Sequence, residues 1–361
     1  MSDLIERYAA AERAGRTRIP NRAIEAFGLE WWNTAGYPYR IEAMDELWRY
    51  HDSMHDGRFE RNLHLIGAAS TADVALCERA ARIIYEFSGS RFRFASPAKD
   101  ALSRALYQYQ LLSTHLAAAS RPWTVLEVGP GSGYLGLLLG LDGHRYLAVE
   151  AAQAFFVYQS ELWRHAFGAD YDDGLRAASD TRVRHVPWWS YNEEGLSLPS
   201  LHAITANHAL AEMNPLAVER ILWSLKRFGV SSSFLLAESL GKRHHSTGQV
   251  IGHALAAHIS VHELGPDLYV MRQAAPGSTA TYERHESARR AGLLWRLARS
   301  VVARTPALTP LALRVYRRTS ALTQRQAKPE PRSTLNSQIR LVFDAYPETH
   351  TPDYRYQHGT W

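Results

Sequence analysis

The stretch Val125-Leu126-Glu127-Val128-Gly129-Pro130-Gly131-Ser132-Gly133 sets an acid and three alternate glycines directly after an apolar run. Glycines at this spacing let the backbone turn sharply and approach a ligand with no side chain in the way. The next apolar run, Tyr146–Val149, ends in Glu150, seventeen residues after Gly133. A carboxylate there can take both vicinal hydroxyls of a ribose. Glu127 stands two residues before the first glycine and suits a cationic amino-acid tail better than a pyrophosphate. The loop reads E-x-G-x-G-x-G and not the G-x-G-x-x-G of dinucleotide folds. These residue types point to S-adenosyl-L-methionine as cofactor, held by Glu127, Gly129, Gly131, Gly133 and Glu150. A dinucleotide enzyme and a degenerate, non-catalytic domain are the alternatives.

A second stretch, Thr205-Ala206-Asn207-His208-Ala209-Leu210-Ala211-Glu212-Met213, follows the fourth apolar strand of the same region. Ligands in open α/β sheets sit at the carboxyl ends of strands, so Asn207 and His208 are expected to face the transferred methyl group. Asn207 is read as a cofactor contact and His208 as the general base, since neutral imidazole takes a proton near pH 7. Glu212, four residues on, shares a helical face with His208 if a helix has begun, and would then orient the imidazole. The plainer readings are a helix cap or packing residue for His208 and a solvated first-turn acid for Glu212. Glu238 and His244 are the next candidates for a base. His244, His245, His253 and His258 suggest a metal, but magnesium needs clustered carboxylates and none follows the fourth or fifth strand, so no metal is expected. The one cysteine, Cys77, lies in an expected helix outside this region.

The elements that position these groups follow from apolar periodicity. Strands are expected at Trp123–Val128, Arg145–Glu150, Arg182–Pro187, His202–Ala206 and Ser233–Glu238, with helices at Tyr134–Leu141, Ala152–Phe167 and Pro215–Phe228 between them. Ser246 reads as the N-cap of a helix to His258. Runs His258–Leu264 and Leu268–Gln273 flank Gly265-Pro266-Asp267 and predict an antiparallel hairpin. Five parallel strands closed by a hairpin describe a Rossmann-like, seven-stranded methyltransferase sheet in an α/β fold. Residues 1–118 read as a mostly helical region, with apolar spacing over Met44–His51, Ala72–Phe87 and Ser96–Ala119. Residues 119–275 form the cofactor-binding domain and 276–361 a basic helical extension and tail. The aromatic segment Phe27–Tyr39 is either core packing or a wall facing the substrate.

The E-x-G-x-G-x-G loop together with N-H-A-L-x-E-M resembles the sugar O-methyltransferase family over about residues 120–275. The resemblance implies methyl transfer to a hydroxyl of a small polar acceptor, a sugar or a sugar-containing metabolite. Composition agrees with a globular chain: 361 residues, 46% hydrophobic and 21% charged. No apolar stretch nears the roughly 20 residues of a membrane-spanning helix, and the charged N-terminus lacks a signal-peptide run. A single cysteine forms no internal disulfide, and the expected compartment is the cytoplasm. Net charge is +5, yet residues 284–332 hold eleven arginines and one lysine against two glutamates, so the remainder is net acidic. That argues against a general nucleic-acid binder. The basic helices at 284–325 either pack on the core or contact a membrane surface or nucleic acid, the competing reading of function. Assembly into a homo-oligomer is compatible with the sequence.

Overall fold

A computed structural model describes residues 3–27, 39–284 and 334–350, apart from 53, 56, 68, 177–179, 208, 242–244 and 266. The N-terminal part is helical: α1 (Asp3–Arg16), α2 (Asn21–Phe27), a 3₁₀ turn (Met44–Leu47) running into α3 (Trp48–Asp52), α4 (Phe59–Leu65), α5 (Thr71–Arg91) and α6 (Lys99–His115). Ser70 caps α5 by accepting from Asp73 N–H, while the Asp73 carboxylate accepts from Ser70 N–H. This reciprocal box satisfies two amides that the first helical turn leaves open.

The chain then alternates: β1 (Thr124–Val128), α7 (Tyr134–Leu141), β2 (Arg145–Val149), α8 (Gln153–Phe167), β3 (Tyr171–Asp172), β4 (Val183–His185), α9 (Trp188–Tyr191), β5 (Leu201–Asn207), α10 (Pro215–Phe228) and β6 (Gly229–Glu238). There follow α11 (Thr247–Ala256), β7 (Ile259–Gly265), β8 (Leu268–Gln273), β9 (Tyr282–Glu283) and α12 (Thr334–Asp344). The strands form one sheet in the order β3-β4-β2-β1-β5-β6-β8-β7-β9. It is parallel from β3 to β6, and β8 pairs antiparallel with both β6 and β7. All five residues of β1 are buried, which is why its sequence reads as a continuous run and not as an alternation.

The parallel sheet and the closing hairpin match the sequence expectation, and α7 and α10 have the expected bounds. The strand count does not: among the described residues nine strands are present and not seven. The additions, β3 and β9, are two-residue strands at the two edges, too short to leave a period in the sequence. The Arg182–Pro187 run supplies only three strand residues. Ser246 caps α11 as expected, its hydroxyl accepting from Gln249 N–H at 3.2 Å.

One hydrophobic cluster runs from Leu4 to Phe343, so the helical region and the sheet share a core. The segment 334–350 lies across the N-terminal helices. Arg340 grips Glu60 of α4 with both guanidinium nitrogens, at 2.6 and 2.7 Å. Phe343 packs edge-on against Phe59, and Thr349 exchanges hydrogen bonds with the Ala95 main chain. The basic stretch 285–333 lies outside the described residues, as do residues 28–38 of the aromatic segment. Of that segment, Phe27 is buried against Tyr191. Among the described residues, no helix is long and apolar enough to cross a membrane.

Candidate functional site

From β1 the chain winds outward through β2 to β4, and on returning it winds the other way through β5 to β6. The crevice at the carboxyl ends of β1 and β5 is therefore the switch point where open sheets take their ligands. A cavity of about 270 Å³ lies there. Its floor is Glu127, Gly129, Pro130, Gly131, Ser132 and Asn207, and its roof includes Arg58, Arg61, Asn62, Asp100, Arg104 and Gln108 from the α4 and α6 region.

The glycine loop carries φ values of +70° at Gly129, +54° at Gly131 and +73° at Gly133, where a side chain is strained. The three do different work. A Cβ on Gly129 would stand 2.7 Å from the Ala209 Cβ, and one on Gly133 would stand 2.8 Å from the Trp163 ring. A Cβ on Gly131 would meet nothing within 4 Å. The outer glycines are thus packing contacts, and the middle one keeps the approach to the loop open. Helix α8 pins the loop from behind: Gln159 Nε2 donates to the Gly131 carbonyl at 2.7 Å and Trp163 Nε1 to the Gly133 carbonyl at 3.1 Å.

Glu127 is buried at the end of β1, where its carboxylate accepts from the Tyr146 hydroxyl at 2.6 Å and from Asn207 Nδ2 at 3.1 Å. Burial raises its pKa to about 7, and those two hydrogen bonds work against the rise. Asn207 Nδ2 also donates to Thr205 Oγ1, while its buried Oδ1 has no hydrogen-bond partner among the described residues. An ionisable acid near neutrality and an unmet acceptor, side by side in one cavity, suit a cationic donor such as an ammonium group.

Glu150 ends β2, also buried, with its carboxylate accepting from Ala152 N–H at 2.8 Å and from Gln159 Nε2 at 3.3 Å. Burial raises its pKa to about 7, against hydrogen bonds from Ala152, Gln159, Ala151 and Gly131. It does not line the 270 Å³ cavity, and neither do Gly133, which is the N-cap of α7, or Glu212. The structure therefore brings Glu127, Gly129, Gly131 and Asn207 into one space and sets Glu150 beside the loop, against the Gly131 main chain. Among the candidate catalytic groups, His208 lies outside the described residues. After β5 the chain forms a 3₁₀ turn over Leu210–Glu212 and not the α-helix on which the His208–Glu212 pairing depended.

Glu238 is engaged with Arg104 at 2.6 Å and with Gln108 at 3.1 Å, tying α6 to β6. His244 lies outside the described residues. Cys77 is buried in α5, and desolvation pushes its thiol up to about 12, so it holds no thiolate near neutral pH. Among the described residues, no group of three or more His, Cys, Asp or Glu side chains is placed to hold a metal ion.

The roof was missed in the sequence. Its signal was Asp100, Arg104 and Gln108, polar residues four apart in α6, each followed by Ala or Tyr. Such a stripe on a core-facing helix marks a lined cavity or an ion-pair seam.

No family model and no curated protein matches the chain. Among solved structures, the chain is similar to a TehB-like SAM-dependent methyltransferase from Corynebacterium glutamicum, with 15% identity over 45% of this chain and 84% of that one and a TM-score of 0.34. It is similar to magnesium protoporphyrin IX methyltransferase from Synechocystis, with 10% identity over 58% and 100% of the two chains and a TM-score of 0.35. An O-methyltransferase family protein from Burkholderia thailandensis shares 12% identity over 49% and 58%, with a TM-score of 0.34.

Proposed function

We propose that the chain is an S-adenosyl-L-methionine-dependent methyltransferase acting on a hydroxyl of a small polar acceptor of the sugar class. The observation that carries this reading is the floor of the cavity. There the one glycine with open space beside it, Gly131, stands next to a half-ionised Glu127 and the unmet Asn207 Oδ1. Glu127 and Asn207 Oδ1 would hold the ammonium of the methionine tail, and Glu150 the ribose hydroxyls. Bound there, the cofactor supplies an electrophilic methyl group on a sulfonium.

The protein's part is alignment and proton removal. In-line displacement needs the acceptor oxygen held on the axis of the breaking bond, and positioning of this kind can supply much of the barrier reduction. The polar roof, with Gln108 and three arginines, offers donors to a hydroxyl-rich acceptor. His208 follows directly after Asn207 and would take the hydroxyl proton as the oxygen attacks. Glu212 would support it only through a geometry other than a shared α-helical face.

Transfer of labelled methyl from S-adenosylmethionine to sugars and nucleotide-linked sugars tests the reading, with His208→Gln run beside the wild type. Turnover by the wild type is expected, with about 10²–10⁴-fold loss in His208→Gln and near-unchanged S-adenosylhomocysteine affinity. Cofactor binding without transfer to any hydroxyl compound would overturn the acceptor class. Wild-type turnover by His208→Gln across about pH 6–9 would remove the histidine from the chemistry.

A further inference from the structure

Behind the glycine loop runs a chain of buried polar groups that the proposed reaction does not use directly. Gln159 on α8, His185 on β4, Tyr171 on β3 and Ser160 on α8 are all buried, Gln159 and Ser160 at 0% exposure. Gln159 Nε2 faces the Gly131 carbonyl at 2.7 Å and the Glu150 carboxylate at 3.3 Å, and both are acceptors only. The amide is therefore oriented: its Oε1 must point the other way, to His185 Nε2 at 2.8 Å. An oxygen there requires His185 to donate from Nε2. Burial lowers the His185 pKa well below its ordinary value, so the ring is neutral and Nδ1 carries no proton. Nδ1 then faces the Tyr171 hydroxyl at 2.9 Å, and that hydroxyl also lies 2.7 Å from Ser160 Oγ, to which it donates. Phe156 and Trp163 hold the imidazole from ring-centroid distances of 4.3 and 4.7 Å, so it cannot turn over without moving the core.

We propose that Gln159, kept in one orientation by His185, is a positioning residue that makes Glu150 a reader of the ribose hydroxyls. The proposal rests on the cofactor reading above and extends it to groups that do not touch the ligand. Its logic is one of competition for the Glu150 oxygens. If the amide turned over, Gln159 Oε1 would face both the Gly131 carbonyl and the Glu150 carboxylate. Glu150 would then lose a donor, and the loop would be repelled from α8. With the amide as found, the carboxylate is held beside the loop and kept ionisable, and its remaining lone pairs can accept from hydroxyls. His185 opposes the turned-over state when its one ring proton sits on Nε2, because it then presents a donor and not an acceptor to Gln159.

The test uses S-adenosylhomocysteine and its 2′-deoxy analogue, each titrated calorimetrically into the wild type, Gln159→Met and His185→Phe. Methionine keeps the glutamine's length without its hydrogen bonds, and phenylalanine keeps a ring without the donor. The wild type is expected to prefer the ribose form by about 10–100-fold, the scale of hydrogen bonds to a charged group. Both variants should hold the two ligands within about threefold of each other. In Gln159→Met the fall of affinity with acidification should also begin at higher pH, because Glu150 has lost a donor that favours its charged form. A purely structural role would weaken both ligands alike and leave their ratio unchanged. Retention of the wild-type ratio in either folded variant overturns the proposal. Absence of any ribose preference in the wild type overturns it too, while leaving the cofactor assignment standing. No binding of S-adenosylhomocysteine by the wild type removes the cofactor assignment itself. If Gln159→Met fails to fold, as melting would show, His185→Phe decides the matter alone.

Discussion

The floor and the roof of the cavity are built on opposite principles. The floor comes from two short stretches, 127–132 and Asn207, and its shape is a property of backbone: two positive φ angles, at Gly129 and Gly131, and the ends of two strands. The roof comes from side chains between Met54 and Gln108, projected by helices that hold their place through distant contacts, such as Arg340 on Glu60 and Arg104 on Glu238. Local chain geometry makes the first, and tertiary packing makes the second. The difference teaches that a backbone-made site tolerates little variation in its residues, whereas a side-chain-made one can change its specificity without losing the fold.

The sharpest way to test that contrast is within the floor itself. Gly129→Val drives a branched side chain into Ala209 at a φ of +70°. It should cost about 3–5 kcal/mol, the range of severe strain and overpacking, and abolish ligand binding with it. Gly131→Ala meets no atom and should cost only about 1–2 kcal/mol for its left-handed backbone. Its affinity for S-adenosylhomocysteine should nonetheless fall at least about tenfold, because the methyl group occupies the ligand's approach. Melting curves and calorimetry on both variants separate the two effects. Equal destabilisation by the two would make the whole loop a packing device.

Glu127 offers a smaller effect with a definite sign. Its folded pKa of about 7 lies above its ordinary value of 4.5, so the folded protein holds this proton more tightly than the unfolded chain does. Its penalty is absent below about pH 4.5, grows as pH rises towards 7 and is complete above that, on the order of 3 kcal/mol. Glu127→Gln should therefore gain about 1–2 kcal/mol of stability relative to wild type at pH 8, and about nothing at pH 5. Ligand binding should move the opposite way. Wild-type affinity should fall up to about tenfold per pH unit below 7, as the carboxylate that meets the ammonium becomes protonated. In Glu127→Gln affinity should be weak throughout, with a shallower pH slope, since Glu150 alone still titrates. Denaturant melts and titrations at the two pH values check both signs, and a variant less stable than wild type at pH 8 would contradict the burial penalty.

The smallest effect is expected in the roof. The Arg340–Glu60 pair is largely exposed, with side chains at 38% and 60% accessibility, so Arg340→Ala should cost at most about 1 kcal/mol. It should leave S-adenosylhomocysteine affinity unchanged and raise KM for the acceptor, because α4 carries roof residues and no floor residue. A change in cofactor affinity would show that roof and floor are not separable.

What was legible in the sequence follows the same line. Val125–Gly133 named its own strand, turn and helix because glycine spacing and apolar runs are consequences of local geometry, and the β6–β8–β7 ending was readable from two runs around a turn. The edge strands β3 and β9 were invisible, being two residues each and defined by their partners alone. The sequence leaves open whether a helix begins after β5, because Leu210–Glu212 has helix-compatible residues; the chain makes a 3₁₀ turn there, and α10 starts only at Pro215 with Asn214 as its cap. The partner of Arg104 and Gln108 is not legible in the sequence, since nothing local to α6 reveals that β6 brings Glu238 to meet them.

The clasp of Arg340 on Glu60 also has a meaning in time. These partners are 280 residues apart, and Thr349 meets Ala95 across 254. A ribosome adding about 5–20 residues per second would need roughly 14–56 s to make the first interval. Throughout that interval the helices above the glycine loop stand without their fastening, while the sheet beneath can already be assembling. Maturation of the newborn polypeptide is thereby ordered, with the nucleoside-sized crevice shaped first and its covering secured only when residue 350 has been synthesised.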